Sequence, residues 1–599
     1  MWRAYVIASL LTVLAAATAR AEPVPLTDIF QVNAYGTGEQ LTPSVCTDSA
    51  GNFVVAFQDG SAAYNTGLDG DYGGIRARRV TANGTPQGFM EFAVNEYTTN
   101  EQRSPKVACG ANGDFVVVWG SGYFGNGPDG YGEAVAARRF NADGTPKGTE
   151  FVVNTSTEYD QSEPDVCSAA DGDFVIVWTG TSYHVYGQRY DDAGNTAGTE
   201  FQVDLSLLEY ATDPAVACDA AGNFIVAWSS TDNSGDVLAR RYTASGLSLG
   251  TPFQVNSYTT GYQGVDLSGY FSPLDVAAAP DGQFVVVWQD EEEFGGYALA
   301  GRRFNADGSP AGTDFQIDQP GIFDDPNVDV SAAMSDTGHF AVVWSTYDSF
   351  SSTSLVEQRM FDPQGQVDGD EIHLNASFEY DLEADVAAAS NGRFVTAWAA
   401  YNGLTDSGDI YAEERGATLC GSAPASGCRN TPAGAAKVQI KNFTAADKDS
   451  LKWNWKKGDA TPFSAIGDPV IGVPRYEVCV YDSSLAAQPL YKGLVPPNGG
   501  AVGQPPWKNA GTTGFSFVNR YDGIGSNGVT KLKLKSGVAG KSKVQVQARG
   551  DFADLALLPL TAPVTVQLVA DSGTSIECWQ TVFSTPDETT SSKFEATGP

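Results

Sequence analysis

The chain has 599 residues, a formal net charge of -36, 66 glycines and 11% aromatic residues. That length leaves room for two or more domains, and so many glycines and aromatics suit turn-rich β structure better than helices. Residues 22–420 carry 58 Asp and Glu against 16 Lys and Arg, a surface that repels phosphate backbones and excludes nucleic acid as a partner.

Residues 1–21 read as a secretory signal. Met1 to Arg3 give a charged start, Ala4 to Ala17 an apolar run, and Ala19-Arg20-Ala21 a small-residue cleavage site. The run is too short to cross a hydrocarbon core of about 30 Å as a helix. No later segment is apolar enough for a membrane span, so the mature protein is expected to be secreted, periplasmic or at the cell surface.

From Phe30 onward one pattern recurs: an FxVN strand, a loop, PxVA, a short turn, FVVVW, a variable loop, then ARRF and a Gly-containing turn. The FVVVW-like runs are Phe53 to Phe57, Phe115 to Trp119, Phe174 to Trp178, Phe224 to Trp228, Phe284 to Trp288, Phe340 to Trp344 and Phe394 to Trp398. Seven such units predict a seven-bladed β-propeller over residues 22–415, with four-stranded blades ordered a (PxVA), b (FVVVW), c (ARRF) and d (FQVN). The stray strand Phe30 to Asn33 is expected to close the last blade beside the strand near Ile410 to Glu414. Alternation of strands puts the short a-b and c-d turns on one face. The long b-c and d-a loops, such as 58–74, 120–134 and 257–274, then lie on the other, where binding is expected.

Cys46 and Cys167 occupy the fourth position counted from the strand-a prolines Pro43 and Pro164, whereas Cys109 and Cys218 occupy the fifth from Pro105 and Pro214. Adjacent strand positions face opposite sides, so a fourth-position Cys reaches a fifth-position Cys on the next blade. This predicts Cys46 with Cys109 and Cys167 with Cys218. A small-residue linker, 416–434, holds Cys420 and Cys428, close enough to close a local loop. That leaves Cys479 with Cys578. Eight β-prone runs across 435–583 predict a C-terminal β-sandwich, and 584–599 reads as a disordered tail.

The unit running from Pro105 to Trp119 and on through Ala137-Arg138-Arg139-Phe140-Asn141-Ala142-Asp143-Gly144 resembles the tandem propeller repeats of bacterial secreted and surface proteins of mostly unassigned function. The region from Cys428 to Ser584 resembles a C-terminal β domain found on exported proteins of delta-proteobacteria. Neither resemblance implies a catalytic residue.

Arg79, Arg139, Arg189, Arg241, Arg303 and Arg359, with Glu414 in the seventh unit, recur at one strand-c position. A residue repeated in nearly every blade serves the blade, so each is expected to pack on its own strand-b Trp rather than to form an anion ring. The Trp series is expected in the core. The three histidines, His184, His339 and His373, fall in different units, and no HExxH, CxxC or phosphate-loop pattern occurs. No cofactor is indicated except calcium, for which Asp69, Asp71, Asp290 and Glu291 are the weak candidates. The long-loop face carries Tyr64, Tyr72, Tyr123, Phe124, Tyr131, Tyr183, Tyr262, Tyr270, Phe294, Tyr297 and Tyr347 among polar residues, a composition suited to a glycan or protein surface. The sequence therefore favours an exported, non-enzymatic binding or scaffold protein. The alternative is a polysaccharide-active hydrolase or lyase using carboxylates and a tyrosine near the central channel.

Overall fold

The computed structural model describes residues 24–598 apart from short internal stretches, the longest being 61–71, 265–272, 320–328, 375–382, 496–506, 519–527 and 550–557. The predicted signal at 1–21 lies outside the described residues. Among the described residues the fold is all-β save for one short helical turn at Phe463–Ile466 and one 3-10 turn at Gly511–Thr513.

Each repeat forms one antiparallel four-stranded sheet. The first runs Gln40–Thr47, Phe53–Asp59, Gly74–Val80 and Phe92–Ala93, and five more follow the same order. In the seventh, Ala384–Ala389, Arg393–Asn402 and Ser407–Gly416 are completed from the N-terminus. There Phe30 pairs with Ala412, Gln31 with Tyr411 and Val24 with Gly416. The first strands of successive sheets touch one another, and Ala384–Ala389 of the last touches Gln40–Thr47 of the first. Repeated sheets in such a circuit fit a propeller.

The periodicity of strand b explains how the sheets stack. In the fifth sheet Phe284, Val286 and Trp288 pack against the fourth, while Val285 and Val287 pack against the sixth. The strand-b Trp residues are fully buried, as expected. At the first five junctions the strand-d Phe of one sheet meets an aromatic pair of the next. Phe284 stacks on Phe304 at 4.8 Å with Phe253 tilted against the latter at 5.7 Å, and Phe340 stacks on Phe361 at 4.6 Å with Phe315 at 5.4 Å from Phe361. Such a pair contributes about 0.5–1.5 kcal/mol beyond its burial. At the closing junction Phe30 supplies the ring, 6.2 Å from Phe53.

The recurrent arginines join sheets, but not in the manner expected. Their second members donate forward to carbonyls of the following sheet: Arg79 to Asp143 at 2.8 Å, Arg139 to Asp192 at 2.6 Å, Arg189 to Ala244 at 2.6 Å and Arg303 to Pro363 at 2.6 Å. Their first members donate backward to strand d: Arg138 to Val94 at 2.9 Å, Arg240 to Val203 at 3.1 Å and Arg302 to Val255 at 2.7 Å. These guanidiniums lie over the aromatic ring two residues further on, as with Arg240 and Tyr242 at 5.3 Å, rather than over a strand-b Trp. Arg359 belongs to the backward set, since it pairs with Val342 and donates to the Ile317 carbonyl. Met360 takes the forward position.

The predicted disulfides Cys46–Cys109 and Cys167–Cys218 are present, each with Cα atoms 5.5 Å apart. The later pairs differ from expectation. Cys420 bonds Cys479 and Cys428 bonds Cys578, so both tie residues 420–428 to strands of the C-terminal region instead of closing a local loop. That region has two sheets sharing one core, which includes Trp453, Trp455, Tyr476, Leu568 and Trp579. The segment expected to be a disordered tail forms the hairpin Glu588–Thr590 and Lys593–Gly598. It extends the larger sheet beside Ala436–Lys441, with Phe594 and Ala596 buried in the core. The alternation of those two residues is too short to register as a period in so polar a stretch.

Buried polar contacts fix the C-terminal region to the seventh sheet's exit. Arg475 pairs with Asp571 at 3.3 Å and donates to the Ala417 carbonyl at 2.7 Å. Glu477 accepts the Leu419 and Cys420 amides.

Substituting Arg240 by Met, which keeps the stem but removes the bond to a buried carbonyl, should lower unfolding stability by about 1–3 kcal/mol. Denaturant titration measures this. An unchanged midpoint would show that the carbonyl is satisfied without the arginine.

Candidate functional site

The innermost strands share one register. Ser44, Lys106, Asp165, Ala215, Asp275, Ser331 and Asp385 face Ala56, Val118, Val177, Ala227, Val287, Val343 and Ala397 of their own strand-b partners. Five of the seven accept the amide of the next sheet. Ser44 takes Val107 N, Asp165 takes Val216 N at 2.7 Å, Asp275 takes Ala332 N at 2.8 Å, Ser331 takes Val386 N, and Asp385 takes Val45 N at 2.8 Å. Ala215 and Lys106 offer no acceptor there. The result is a polar collar around the axis on which the sheets meet.

Lys106 reaches into that collar. Burial disfavours its charge, but Asp385, Asp165, Asp275 and Asp329, from sheets spread around the ring, hold the ammonium above the ordinary lysine range. The same enclosure acts on the acids. Burial and then the neighbouring Asp165 charge push the Asp275 carboxyl up to about 7, against the opposing pull of Lys106 and the Ala332 amide. Burial raises Asp165 too, with Lys106 and two amides opposing. Lys106, Asp165, Asp275 and Asp385 are half-buried. For Lys106, Asp165 and Asp275 this partial exposure coexists with strong desolvation.

Toward the long loops, each of the first four collar strands bulges at the residue before its proline. Thr42, Ser104, Glu163 and Asp213 have φ of 46°, 49°, 53° and 52°, and the pairing register slips at each. Bulges re-aim side chains and gather near binding and active sites. Beside the second, Arg103 forms a bidentate pair with Glu133, both bonds 2.8 Å, and its guanidinium lies 3.5 Å from the Tyr123 ring centroid. Burial works against that guanidinium, but the Glu133 carboxylate keeps it above its usual range. A Cβ at position 120 would collide with the Glu133 carboxylate, which is why Gly120 stands there. Glu163 accepts from the Thr179 hydroxyl at 2.7 Å and from the Asp213 amide at 3.1 Å.

Of the aromatic residues expected on this face, Tyr72, Tyr131, Tyr183 and Tyr262 are exposed and Tyr123 is half-buried beneath Arg103. Tyr347 lies on the strand Phe340–Asp348. Tyr64, Phe124, Tyr270, Phe294 and Tyr297, with Asp69 and Asp71, fall outside the described residues. Glu291 accepts the Tyr262 amide at 2.9 Å, and Asp290 is fully buried with a backbone bridge to Gln263. Among the described residues no three His, Cys, Asp or Glu side chains are grouped to hold a metal. The histidines do not converge: His184 pairs with Asp204 at 2.7 Å, His373 with Glu357 at 3.0 Å and His339 with Thr337 at 2.9 Å. Sequence reasoning missed Lys106, Asp165, Asp275 and Asp385, although the shared position after the strand-a start could have revealed them. It also missed the exposed Tyr159 and Tyr210, which lie in d-a loops without repeat signal.

No protein-family model matches the chain, and no curated protein matches it. Among solved structures it is similar to a polysaccharide lyase described as an ulvan lyase, at 12% identity and TM-score 0.40 over 66% of this chain and 96% of that one. It is similar to an α-L-arabinanase of Penicillium chrysogenum at 13% identity and TM-score 0.36, over 52% and 92%. A protein of unknown function from Dyadobacter fermentans matches at 10% identity and TM-score 0.38, over 65% and 99%. The expectation of a non-enzymatic binding or scaffold protein is corrected at this point. Two of the three named neighbours, the ulvan lyase and the arabinanase, are polysaccharide-active proteins rather than binding or scaffold proteins. The four disulfides fit an oxidising, extracellular setting, and no described helix is long and apolar enough to cross a membrane.

Because the Asp275 carboxyl is raised from 3.8 to about 7 on folding, the folded state holds the extra proton. Its contribution to stability is complete below about pH 4 and is lost as pH rises through about 7. Asp275→Asn should flatten that decline, read from denaturant midpoints across the interval. An equal slope in both proteins would place the proton elsewhere.

Proposed function

We propose that the protein is a polysaccharide-active hydrolase or lyase. It is built on a seven-bladed propeller spanning residues 22–415, with the substrate entering the axial channel from the long-loop face. A linker, 416–434, leads to a C-terminal β-sandwich that serves as an accessory module. The supporting observation is Asp275, a carboxyl that keeps its proton to about pH 7 with Asp165 and Asp385 within electrostatic reach. Glycosidic hydrolysis needs a proton donor opposite a second, ionised carboxylate that acts as base or nucleophile. In this reading Asp275 protonates the leaving oxygen, Asp165 or Asp385 serves as the second carboxylate, and the Lys106 ammonium lies within electrostatic reach of both. The collar begins three residues along the strand from Arg103, about 10 Å by strand rise, so a chain end at the mouth has a short path to it.

Reducing-end release and unsaturated-product absorbance, measured on a polysaccharide panel, test the proposal. Asp275→Asn should slow cleavage by about 10²–10⁴ while the protein remains folded. Cleavage at the wild-type rate in Asp275→Asn and Asp165→Asn alike would remove the collar from the chemistry.

A further inference from the structure

Six tyrosines are among the large side chains of the described residues exposed by 39% to 62%: Tyr72, Tyr131, Tyr159, Tyr183, Tyr210 and Tyr262. All six lie in b-c or d-a connections, on the long-loop face. Four of them are linked into one continuous feature across the second, third and fourth sheets. Tyr131 adjoins Gly132, whose backbone is packed against the Tyr159 carbonyl and the Asp160 carboxylate, and Asp160 accepts the Glu133 amide at 2.9 Å. The loop carrying Tyr159 continues to that of Tyr183, because Thr181 donates to the Glu158 carbonyl at 3.1 Å. Tyr183 meets Tyr210 edge-on at 5.3 Å, and its carbonyl accepts the Ala211 amide at 2.8 Å.

Two of these rings are presented at a conformational cost. Tyr159 and Tyr183 have φ of 65° and 59°, the left-handed region that bulky residues rarely occupy. Gln161 pins the first by donating to the Glu158 and Tyr159 carbonyls at 3.0 and 2.9 Å. The same turn recurs at Asn100, where Gln102 donates to the Thr99 and Asn100 carbonyls, so the repeat sets the backbone of Tyr159 and the choice of tyrosine sets what is displayed. A phenol offers a flat apolar face and a hydroxyl at little entropic cost, which matches the C–H face and hydroxyl rim of a sugar ring.

The charge around the rings selects among sugars. Glu158, Asp160 and Glu163 flank them, and the Arg103 guanidinium nearby is held by Glu133. A polyanionic chain would meet like charge along the whole track, while an uncharged one pays no such cost.

We infer that Tyr131, Tyr159, Tyr183 and Tyr210 form an extended binding track for an uncharged polysaccharide, which is thereby the substrate class of the site. The inference rests on the polysaccharide-active reading above. Affinity electrophoresis with hydroxyethyl cellulose, laminarin, galactomannan and linear arabinan, against polygalacturonate and alginate, tests it. At least one uncharged probe should retard the protein and neither polyuronate should. Tyr159→Ala and Tyr183→Ala should each weaken that retardation by about tenfold, and Tyr159→Phe should nearly preserve it. Tyr159→Gly and Tyr183→Gly separate display from folding: relieved of left-handed strain, they should hold or raise the melting temperature while losing affinity. Retardation by a polyuronate, by none of the six probes, or equally in wild type and the alanine variants overturns the track. The reaction is read separately. If Asp275→Asn binds and still cleaves, the proposed chemistry fails and the track stands; if the alanine variants cleave and bind as wild type does, the track fails and the chemistry stands.

Discussion

No sheet in the repeat region can bury both of its faces alone. The five FVVVW-like residues of strand b are apolar in every sheet except at Thr396 of the last, with aromatic residues at both ends of one face and valine, isoleucine or alanine on the other. Each face must therefore find a neighbour, and the neighbour's far face must find another. A line of such sheets would leave two apolar ends exposed; a circuit leaves none. The contact of Ala384–Ala389 with Gln40–Thr47, and the placing of Phe30 against Phe53, meet that requirement. The forward and backward arginines and the two inter-sheet disulfides add direction to what burial drives.

The axial collar follows from the same circuit. Innermost strands brought side by side leave amides facing the neighbouring sheet, and a short acceptor one residue into the strand satisfies them. Aspartate suits that task when its charge is tolerated, yet three aspartates on one axis repel one another. Lys106 offsets part of that repulsion, and the raised Asp275 carboxyl offsets more by retaining a proton. A group that resolves an electrostatic conflict by holding a proton near neutrality is also one that can deliver it, so structural need and chemical capacity coincide at one position.

The acidity of the chain acts differently inside and out. Within the sheets, carboxylates are spent on backbone amides: Glu91 on Ala34 and Tyr35, Glu150 on Glu96 and Tyr97, Asp314 on Ser257. On the long-loop face they surround exposed phenols and set the sign of the field that an approaching chain encounters. The opposite face, made of tight turns, receives the arginine bonds and carries no exposed tyrosine among the described residues.

What the sequence by itself determined were features that depend on local period. The strands, the stacking faces, the closing N-terminal strand and the Cys46–Cys109 and Cys167–Cys218 pairs all follow from alternation, which is fixed by the two-residue pleat whatever surrounds it. Even the misplacement of Arg359 is correctable there, since it stands two residues before Phe361 as Arg78 stands two before Val80. Tertiary structure alone decided which distant residues meet. Lys106 and Asp275 are 169 positions apart, and nothing in either segment names the other. Cys420 and Cys428 have partners on strands whose approach depends on how the C-terminal sheets pack, and the hairpin after Ser584 has buried positions only because Ala436–Lys441 leaves an edge to fill. Tyr159 and Tyr210 became visible as a pattern only when left-handed backbone and hydrogen bonds between loops carried them onto one surface. Period is a property of the chain, whereas convergence is a property of the circuit that the chain closes.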